Sequence, residues 1–254
     1  MAIPVAKLNA PPLVESRPMT WSIVARDASG AFGVAVASRF LAVGALCPAV
    51  RAGKGALSTQ ALVNPLYARD GLALLDAGNA AVEVVARLLA ADPGRELRQL
   101  HVVDATGRTA QHTGRECIAW CGHLAGEGFS VAGNTLAGPQ VIEETAHAYR
   151  GASGLAFAER LIAALAAGDR AGGDKRGKQA AALLVHTTED YPFLSLRVDD
   201  HPEPIAELRR IYNVSLERLQ PFVSCLPTRS DSRGITDRAV IEERIARFQS
   251  TRSR

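Results

Sequence analysis

The sequence predicts an α+β fold in which sheets and helices form separate layers. Strand-like and helix-like segments come in blocks, in the order strands, two helices, strands, two helices, strands and a helix. Such blocks are typical of layered α+β domains and not of an alternating parallel sheet. The chain has 254 residues, of which 47% are hydrophobic, so it can bury a substantial core. Aromatic residues make up only 5%, and we therefore expect a core of small aliphatic side chains.

The first block is predicted to consist of strands. One strand begins at Thr20 with TWSIVARD, and a turn at ASG leads into a second strand, AFGVAVASRF, which indicates a hairpin. Short apolar runs broken by glycine, between Leu41 and Val63, indicate one or two more strands. Residues 1–18 are rich in proline and lack sustained periodicity, so they are interpreted as an extension before the domain.

The hydrophobic period then changes to that of helices. Pro65 stands near the start of PLYARDGLALLDAG and Gly78 just past its end, and Asn79 is predicted to cap the next helix, NAAVEVVARLLAADPG. A hairpin is predicted at RQLHVVDATGRTAQHTG, and CIAWCGHLAGEGFSVAGNTLAG is strand-like. The rest of the pattern gives, in order, the helices VIEETAHAYRG and SGLAFAERLIAALAAGDRAGG, the strands QAAALLVHT and FLSLRVDD, and the helices HPEPIAELRRIYNVSLERLQPF and GITDRAVIEERIARF, the last capped by Thr236.

Composition and charge argue against several classes of partner. The net charge is +3, and no basic block is interleaved with aromatic residues, so nucleic-acid binding is not expected. No apolar run approaches the roughly 20 residues that span a bilayer, and the first residues lack the pattern of a signal peptide. We therefore expect a cytoplasmic protein without a membrane partner that acts on a small molecule.

The cysteines and histidines do not form a recognisable metal site. Cys117 and Cys121 are close in the sequence, but no second pair stands at similar spacing, as a structural zinc site would require. A disulfide or a lone metal pair between them stays open, although two reduced thiols are the favoured interpretation. The six histidines also lack metal-ligand spacing. Neither a metal nor an organic cofactor is therefore expected.

Thr20 is the most informative candidate for catalysis. It follows Met19 directly, and removal of a methionine before a small residue would leave Thr20 as the first residue. A threonine hydroxyl needs a base beside it to act as a nucleophile, and a free α-amine, with a reference pKa of about 8, can be that base. The alternative is that Thr20 simply begins a strand, where β-branched residues are common. In the numbered chain, a free amine requires a cut between Met19 and Thr20.

Polar residues on other predicted strands are candidates to complete a site. In GFSVAGNTLAGP, the amide of Asn134 could donate a hydrogen bond to a developing oxyanion. Asn134 could equally be a turn residue that tolerates a left-handed backbone. Ser38 in AFGVAVASRF and Thr59 in ALSTQALVNP are candidates to line the site from neighbouring strands.

A charged cluster lies between a predicted helix and a predicted strand, in GGDKRGKQAA. Lys175 or Arg176 could bind a carboxylate of the substrate, and Asp174 could orient an amine or a basic side chain. These three residues are therefore candidate substrate anchors. The alternative is a solvated loop that follows the C-terminal cap of a helix.

Six segments of the chain together resemble a known family. They are TWSIVARDASGAFGVAVASRF, GKGALSTQALVNPLYARDGLALL, ADPGRELRQLHVVDATGR, GFSVAGNTLAG, GGDKRGKQAAALLV and LRVDDHPEPIAELRR, and they follow the family's order from about Met19 to Arg210. The family is the Ntn-hydrolase-like one catalogued as domain of unknown function 1028. The resemblance implies a four-layer αββα sandwich of Ntn-hydrolase type, with two antiparallel sheets between helical layers. By analogy with the superfamily, it also implies that the Thr20 hydroxyl attacks an amide carbonyl while the α-amine shuttles the proton.

These observations predict three regions and a leading function. Residues 1–18 form an N-terminal extension, residues 19–210 the Ntn-hydrolase-like domain, and residues 211–254 a C-terminal helical extension that could contact another copy in a homo-oligomer. The leading hypothesis is an amidohydrolase that cleaves a small amide or related C–N bond, with Thr20 as the nucleophile and Asn134 as the oxyanion donor.

Two alternatives stay open from the sequence. In the first, a hydrolase of the same fold uses an internal side chain such as Ser22, Ser38 or Lys175. In the second, the chain is a non-catalytic protein that binds a small molecule or takes part in an assembly.

Overall fold

The structure is a computed structural model and describes residues 20–174 and 176–252. Its strands are β1 Thr20–Arg26, β2 Phe32–Ser38, β3 Pro48–Arg51, β4 Gly55–Ala61, β5 Arg98–Asp104, β6 Thr109–Thr113, β7 Gly122–Gly126, β8 Phe129–Asn134, β9 Ala180–His186 and β10 Leu194–Val198. Its helices are α1 Leu66–Asp76, α2 Ala81–Ala91, α3 Gln140–Gly151, α4 Phe157–Arg170, α5 Pro204–Ser215, α6 Leu219–Val223 and α7 Arg238–Arg252. Every block of strands and helices predicted from the sequence is present in the predicted order.

The strands form two antiparallel sheets. The larger sheet has the order β10-β9-β2-β1-β8-β7, and the smaller one has the order β3-β4-β5-β6. The first strand, β1, lies inside the larger sheet between β2 and β8. Its first residue, Thr20, is paired with Ser38 of β2 on one side and with Asn134 of β8 on the other. The start of β1 therefore lies where the two neighbouring strands end.

The sheets pack face to face between two layers of helices, which confirms the predicted α+β sandwich. The outer face of the larger sheet packs on α3, α4 and α5, and the outer face of the smaller sheet packs on α1 and α2. The inner faces share a small apolar cluster formed by Val24, Phe32, Val34, Val50, Ala56 and Val103. Both faces of each sheet are thus covered.

The residues of β1 show how the sequence produces this arrangement. Successive side chains of a strand point to opposite faces. Trp21, Ile23 and Ala25 join the core under the helices, whereas Val24 joins the cluster between the sheets. All the residues from Thr20 to Ala25 are buried. A strand with both faces covered consequently looks apolar throughout, except where polar side chains are needed inside.

Two predicted helix caps are wrong. The Asn79 side chain donates to the carbonyl of Leu74 at 2.8 Å and so closes the end of α1. The first residues of α2 are satisfied by carboxylates instead, because the Ala80 N–H donates to Glu83 at 2.9 Å and the Ala81 N–H donates to Asp104 at 3.0 Å. A carboxylate from a distant strand cannot be anticipated from local sequence.

The second wrong cap is at α7. Asp237, and not Thr236, accepts the hydrogen bond from the Ala239 N–H at 2.8 Å. Along α7, Ile245 is buried and Phe248 packs against the core of the larger sheet. None of the helices among the described residues is both long enough and apolar enough to span a membrane.

Substitution of Gly168 tests the close packing of α3 against α4. A Cβ at this position would lie 2.2 Å from the Thr145 hydroxyl and 3.0 Å from the carbonyl of Val141. Gly168→Ala is therefore expected to lower the free energy of unfolding by about 1–3 kcal/mol, even though alanine favours helices. Denaturant unfolding followed by circular dichroism measures this.

Gly151→Ala, at the end of α3, is the matched control. No atom lies within 4 Å of the Cβ that it introduces, so its stability should stay within about 0.5 kcal/mol of the parent chain. Equal stability of the two variants would contradict the close helix contact.

Candidate active site

The site begins at the first residue of β1. Thr20 is 3% exposed, and its side chain points into the space between the sheets, as does that of Ser22 two residues later. The Thr20 hydroxyl donates a hydrogen bond to the Ser38 hydroxyl at 3.1 Å. The pairing of β1 with β2 therefore brings together two hydroxyl groups that are 18 residues apart in the sequence.

Beyond Thr20, the space between the sheets is filled by hydrogen-bonded polar side chains. We call this set the inter-sheet polar network. Each of its members is at most 1% exposed. The network consists of Ser22, Ser58, Gln60, Gln99, His101, Ser130 and Asn134.

Gln99 sets the direction of the hydrogen bonds in this network. Its Nε2 donates to the carbonyls of Gly122 at 3.0 Å and Gly133 at 2.9 Å. Because carbonyl oxygens can only accept, these contacts fix which end of the Gln99 amide carries the oxygen. Its Oε1 then accepts from Gln60 Nε2 at 2.7 Å and from Asn134 Nδ2 at 3.2 Å. Both neighbouring amides are thereby oriented as well.

The oriented amides hold the backbone of Thr20. Gln60 Nε2 and Asn134 Nδ2 each approach the Thr20 carbonyl oxygen at 3.4 Å. Gln60 belongs to the smaller sheet, whereas Asn134 belongs to the same sheet as Thr20. The position of Thr20 is thus fixed by both sheets.

The network continues from Gln60 to a buried histidine. The Ser22 hydroxyl donates to Gln60 Oε1 at 2.6 Å and lies 2.8 Å from His101 Nε2. Because the single Ser22 proton is directed at Gln60, we assign the proton on His101 to Nε2, which leaves Nδ1 to accept from Ser130 Oγ at 3.2 Å. Burial lowers the pKa of His101 to about 3. His101 is therefore neutral, and it donates to Ser22 instead of accepting its proton.

A cavity opens beside Thr20, and we call it the Thr20 cavity. Its volume is about 170 Å³. Two of its lining residues, Thr20 and Gln60, are polar, and the others are apolar or uncharged. The lining consists of Thr20, Phe40, Val43, Leu46, Cys47, Gln60, Ala61, Leu62 and Val63.

A second cavity, the Asn134 cavity, lies on the other side of the end of β4. It has a volume of about 270 Å³, and it is lined by Ala61, Leu62, Leu97, Glu116, Cys117, Ile118 and Asn134. Ala61 and Leu62 are common to both cavities. Ala61 has a left-handed φ of 66°, a conformation that costs a non-glycine residue on the order of 1–3 kcal/mol and is concentrated at functional sites.

Asp174 lies at the end of the larger sheet where β1 begins. Its backbone is paired with Leu136, just after β8, and a backbone hydrogen bond from Arg39, just after β2, reaches its carboxyl group. Because β2 and β8 flank β1, both contacts are level with the chain entering Thr20. Burial raises the pKa of the Asp174 carboxyl, while hydrogen bonds from Arg176 and Arg39 oppose this shift.

Thr135 adds an unsatisfied hydroxyl at the same end of the sheet. It directly follows Asn134 and has a left-handed φ of 54°. Its Oγ1 is buried and has no hydrogen-bond partner among the described residues. Such an oxygen usually has a partner in a folded protein. Thr135 is thus able to accept or donate one further hydrogen bond beside the start of β1.

Comparison with known families identifies the chain. The family of unknown function DUF1028 matches residues 20–208. The chain belongs to this family. The resemblance seen in the sequence is therefore confirmed, and the matched region starts at Thr20 itself.

Solved structures agree with the layered fold. The crystal structure of protein SPO2555 from Silicibacter pomeroyi, described as DUF1028, has 31% sequence identity and a TM-score of 0.79, and the match covers 86% of this chain and 96% of that chain. Anbu (ancestral beta-subunit) from Yersinia bercovieri has 12% identity and a TM-score of 0.34, with 82% and 98% covered. The comparison with curated proteins gave no match.

The structure brings together most of the residues that the sequence suggested. Ser38 and Asn134 both contact Thr20. Asp174 and Arg176 contact each other, through the Arg176 N–H at 2.7 Å and its guanidinium at 3.4 Å. They form the loop at the start of β1. The predicted anchor Lys175 lies outside the described residues.

Thr59 is the exception, and this expectation is corrected. Ser58 and Gln60 face Ser22 across the sheets, so Thr59 between them faces the helices. Its hydroxyl accepts a hydrogen bond from the Asn64 N–H at 3.3 Å. Thr59 therefore does not line this site, and Gln60 takes its place.

Sequence reasoning missed Gln60 and Gln99 as parts of the site. The available signal was strand parity: once Thr20 is placed on the inner face, every second residue of a neighbouring strand becomes a candidate. Gln99 follows the same rule on β5, where His101 shares its face. Which of these residues meet could not be derived without knowing the order of the strands.

The cysteines take no part in the hydrogen bonds of Thr20. Cys117 and Cys121 are free thiols in the segment between β6 and β7, and Cys117 borders the Asn134 cavity. Burial raises the pKa of Cys117 to about 11, so it is a neutral thiol. The described part of the chain contains no group of three or more His, Cys, Asp or Glu residues placed to hold a metal ion.

Replacement of Gln99 tests whether the inter-sheet polar network supports the fold. Gln99→Leu leaves buried donors on Gln60 and Asn134 without their acceptor. We expect the free energy of unfolding to fall by about 3 kcal/mol, measured by denaturant titration. Gln111→Leu, on partly exposed β6, is the matched control and should change it by less than about 0.5 kcal/mol. Equal losses in both variants would be incompatible with this role of Gln99.

The neutral state of His101 predicts how stability depends on pH. The unfolded chain gains a proton on this histidine below about pH 6.5, whereas the folded chain does so only near its pKa of about 3. The free energy of unfolding should therefore decrease as the pH falls from 6.5 toward 3, by up to about 1.4 kcal/mol per pH unit from this group. His101→Gln should reduce the slope. His147→Gln, at an exposed position of α3, should retain it, and an unchanged slope in His101→Gln would refute the assignment.

Proposed function

We propose that this protein is a hydrolase that cleaves a small amide or related C–N bond, with Thr20 as an N-terminal nucleophile. The observation that carries the proposal is the setting of the Thr20 hydroxyl. It lies at the first residue of the central strand β1, is bonded to Ser38 at 3.1 Å, and borders a cavity of about 170 Å³. The start of the family match at Thr20 also supports a functional role for this position.

The proposed reaction needs the α-amine of Thr20 to be free. Translation from Met19 followed by removal of the methionine would release it, and so would cleavage between Met19 and Thr20. The neutral amine then takes the proton from Thr20 Oγ1 as the oxygen attacks the substrate carbonyl. The same amine returns the proton to the departing nitrogen. Water finally hydrolyses the ester on Thr20, which regenerates the hydroxyl.

The groups at the start of β1 suit an α-amine. The Asp174 carboxyl is buried there, and the orphan Thr135 hydroxyl lies beside it on the segment after β8. A carboxylate stabilises the ammonium form of the amine, and a hydroxyl can hold the neutral form. We therefore assign Asp174 to positioning the amine of Thr20, in preference to anchoring a substrate. Arg176, paired with Asp174, remains a candidate to bind an anionic group.

Asn134 is the candidate donor to the oxyanion. It borders the second cavity, and its amide already points at the Thr20 carbonyl at 3.4 Å and at Gln99 at 3.2 Å. Donation to an oxyanion would replace the longer of these two bonds. Since Gln60 also reaches the Thr20 carbonyl, the backbone of Thr20 would stay bonded during this exchange.

An internal nucleophile at Ser22 has less support. Ser22 is fully buried, and its proton is directed at Gln60. His101, the base that such a serine would need, is oriented as a donor toward it. The geometry therefore favours Thr20 over Ser22 within the same fold.

Variants of Thr20 test the proposal on a panel of small amides. The gene is started at Met19, and removal of the methionine is checked by mass. Thr20→Ala should lower kcat/KM on the order of a thousandfold or more, because the attacking oxygen is lost, whereas Thr20→Ser should retain measurable turnover. A β-lactone, which acylates activated hydroxyl groups, should add one acyl mass to Thr20 in the parent protein.

Thr188→Ala, at an exposed position between β9 and β10, controls for loss of a threonine elsewhere and should keep full turnover. Full activity in Thr20→Ala, or acylation that persists in it, rejects Thr20 as the nucleophile. If acylation instead disappears in Ser22→Ala alone, the internal nucleophile is favoured.

A further inference from the structure

The lining of the Thr20 cavity carries information about the substrate. No Arg, Lys, Asp or Glu is among its lining residues. Burial raises the pKa of Cys47 to about 12, so this thiol contributes no charge either. A carboxylate or an ammonium group placed there would lose its hydration without gaining a partner, which costs several kcal/mol. The cavity therefore discriminates against charged groups.

The two polar lining residues offer little to a substrate beyond the reaction itself. Gln60 donates to Gln99 and to the Thr20 carbonyl, and its oxygen accepts from Ser22. Its hydrogen-bonding groups are thus occupied inside the protein. Thr20 supplies the hydroxyl that would attack. What remains for recognition is apolar contact.

The apolar lining continues outward to the surface. Phe40 is 40% exposed, Leu46 36% and Leu62 51%, and each of them also lines the cavity. Leu41, next to Phe40, is 57% exposed. Large apolar side chains collected at a cavity mouth are typical of a surface that binds an apolar group. The volume of about 170 Å³ is close to that of an apolar cavity that takes a benzene-sized guest.

We propose that the Thr20 cavity binds the acyl side of the substrate and selects an uncharged, apolar acyl group of about six carbons. This inference rests on the proposed function, because it uses Thr20 as the group that attacks the acyl carbon. With the carbonyl at Thr20, the acyl chain enters between Phe40, Leu46 and Leu62, and the departing amine lies toward solvent or the Asn134 cavity. The substrates are then amides of short fatty or aromatic acids.

A chain-length series tests the selection in the protein as cells produce it. The probes are 4-nitroanilides of acetic, butyric, hexanoic and octanoic acid, with the succinyl anilide as the charged counterpart of the butyryl one. We expect kcat/KM to rise about fourfold for each added methylene up to hexanoyl and then to level off. The succinyl anilide should be at least about tenfold poorer than the butyryl one.

Leu62→Arg adds a cation at the mouth, where the side chain is exposed enough for folding to be retained. It should abolish the gain from butyryl to hexanoyl and improve the succinyl anilide about tenfold relative to butyryl. Leu66→Arg is the matched control, because Leu66 is 54% exposed but is not a lining residue. It should leave the acyl preference unchanged. A flat chain-length profile, or a preference for the succinyl anilide in the parent protein, overturns the proposal.

A binding measurement separates this proposal from the proposed function. In Thr20→Ala, which lacks the nucleophile, hexanamide should raise the melting temperature, and acetamide and succinamate at the same concentration should not. If no anilide is hydrolysed but hexanamide binds selectively, the apolar site stands and the hydrolase proposal fails. If turnover occurs at Thr20 and hexanamide has no advantage over succinamate, the acyl selection fails alone. Displacement of hexanamide by residues 1–19 or by a second copy of the chain would also overturn it.

Discussion

The hydrogen bonds that Gln99 makes between the sheets are the interaction on which the site depends. Two backbone carbonyls fix the Gln99 amide, and this amide orients Gln60 and Asn134. They in turn hold the carbonyl of Thr20. Because each step involves a buried group that cannot find water, the penalty for an unmade bond keeps the whole chain in one arrangement.

This arrangement explains why a sandwich with an apolar core has a polar region between its sheets. At one end, Val24 and its neighbours join the sheets by apolar contact. At the other end, where β1 begins, the sheets are joined through amides and hydroxyl groups. A reacting group placed there is held rigidly, yet the cavity beside it is open to a small molecule. Precise orientation of a nucleophile is a large part of enzymatic rate enhancement.

Much of the fold could be predicted from the sequence, because hydrophobic period and turn residues are local signals. The blocks of strands and helices, the hairpin at Thr20 and the closeness of Ser38 to it all follow from such signals. The caps at Asn79 and Thr236 were wrong because the first-turn N–H groups of a helix have several possible acceptors. In α2 one of these is the carboxylate of Asp104, from another part of the chain.

The site was only partly predictable, for a related reason. Thr59 and Gln60 are adjacent polar residues, and only the facing of β4 decides which of them meets Thr20. Gln99 comes from a strand 79 residues after Thr20 and makes contacts that depend on the pairing of two separate sheets. Asp174 gains its place only because the segments after β2 and β8 both contact it. These relations belong to topology and have no signature in composition or spacing.

Determination of the first residue in catalytically active protein made in cells tests the central claim most directly. Intact-mass measurement combined with N-terminal sequencing reads it, and the activity of the same sample is measured on the amide panel. The account predicts that active molecules begin with Thr20 and carry a free α-amine. Fully active protein that still carries residues before Thr20 would contradict it, because no amine would then be available to take the proton from the Thr20 hydroxyl.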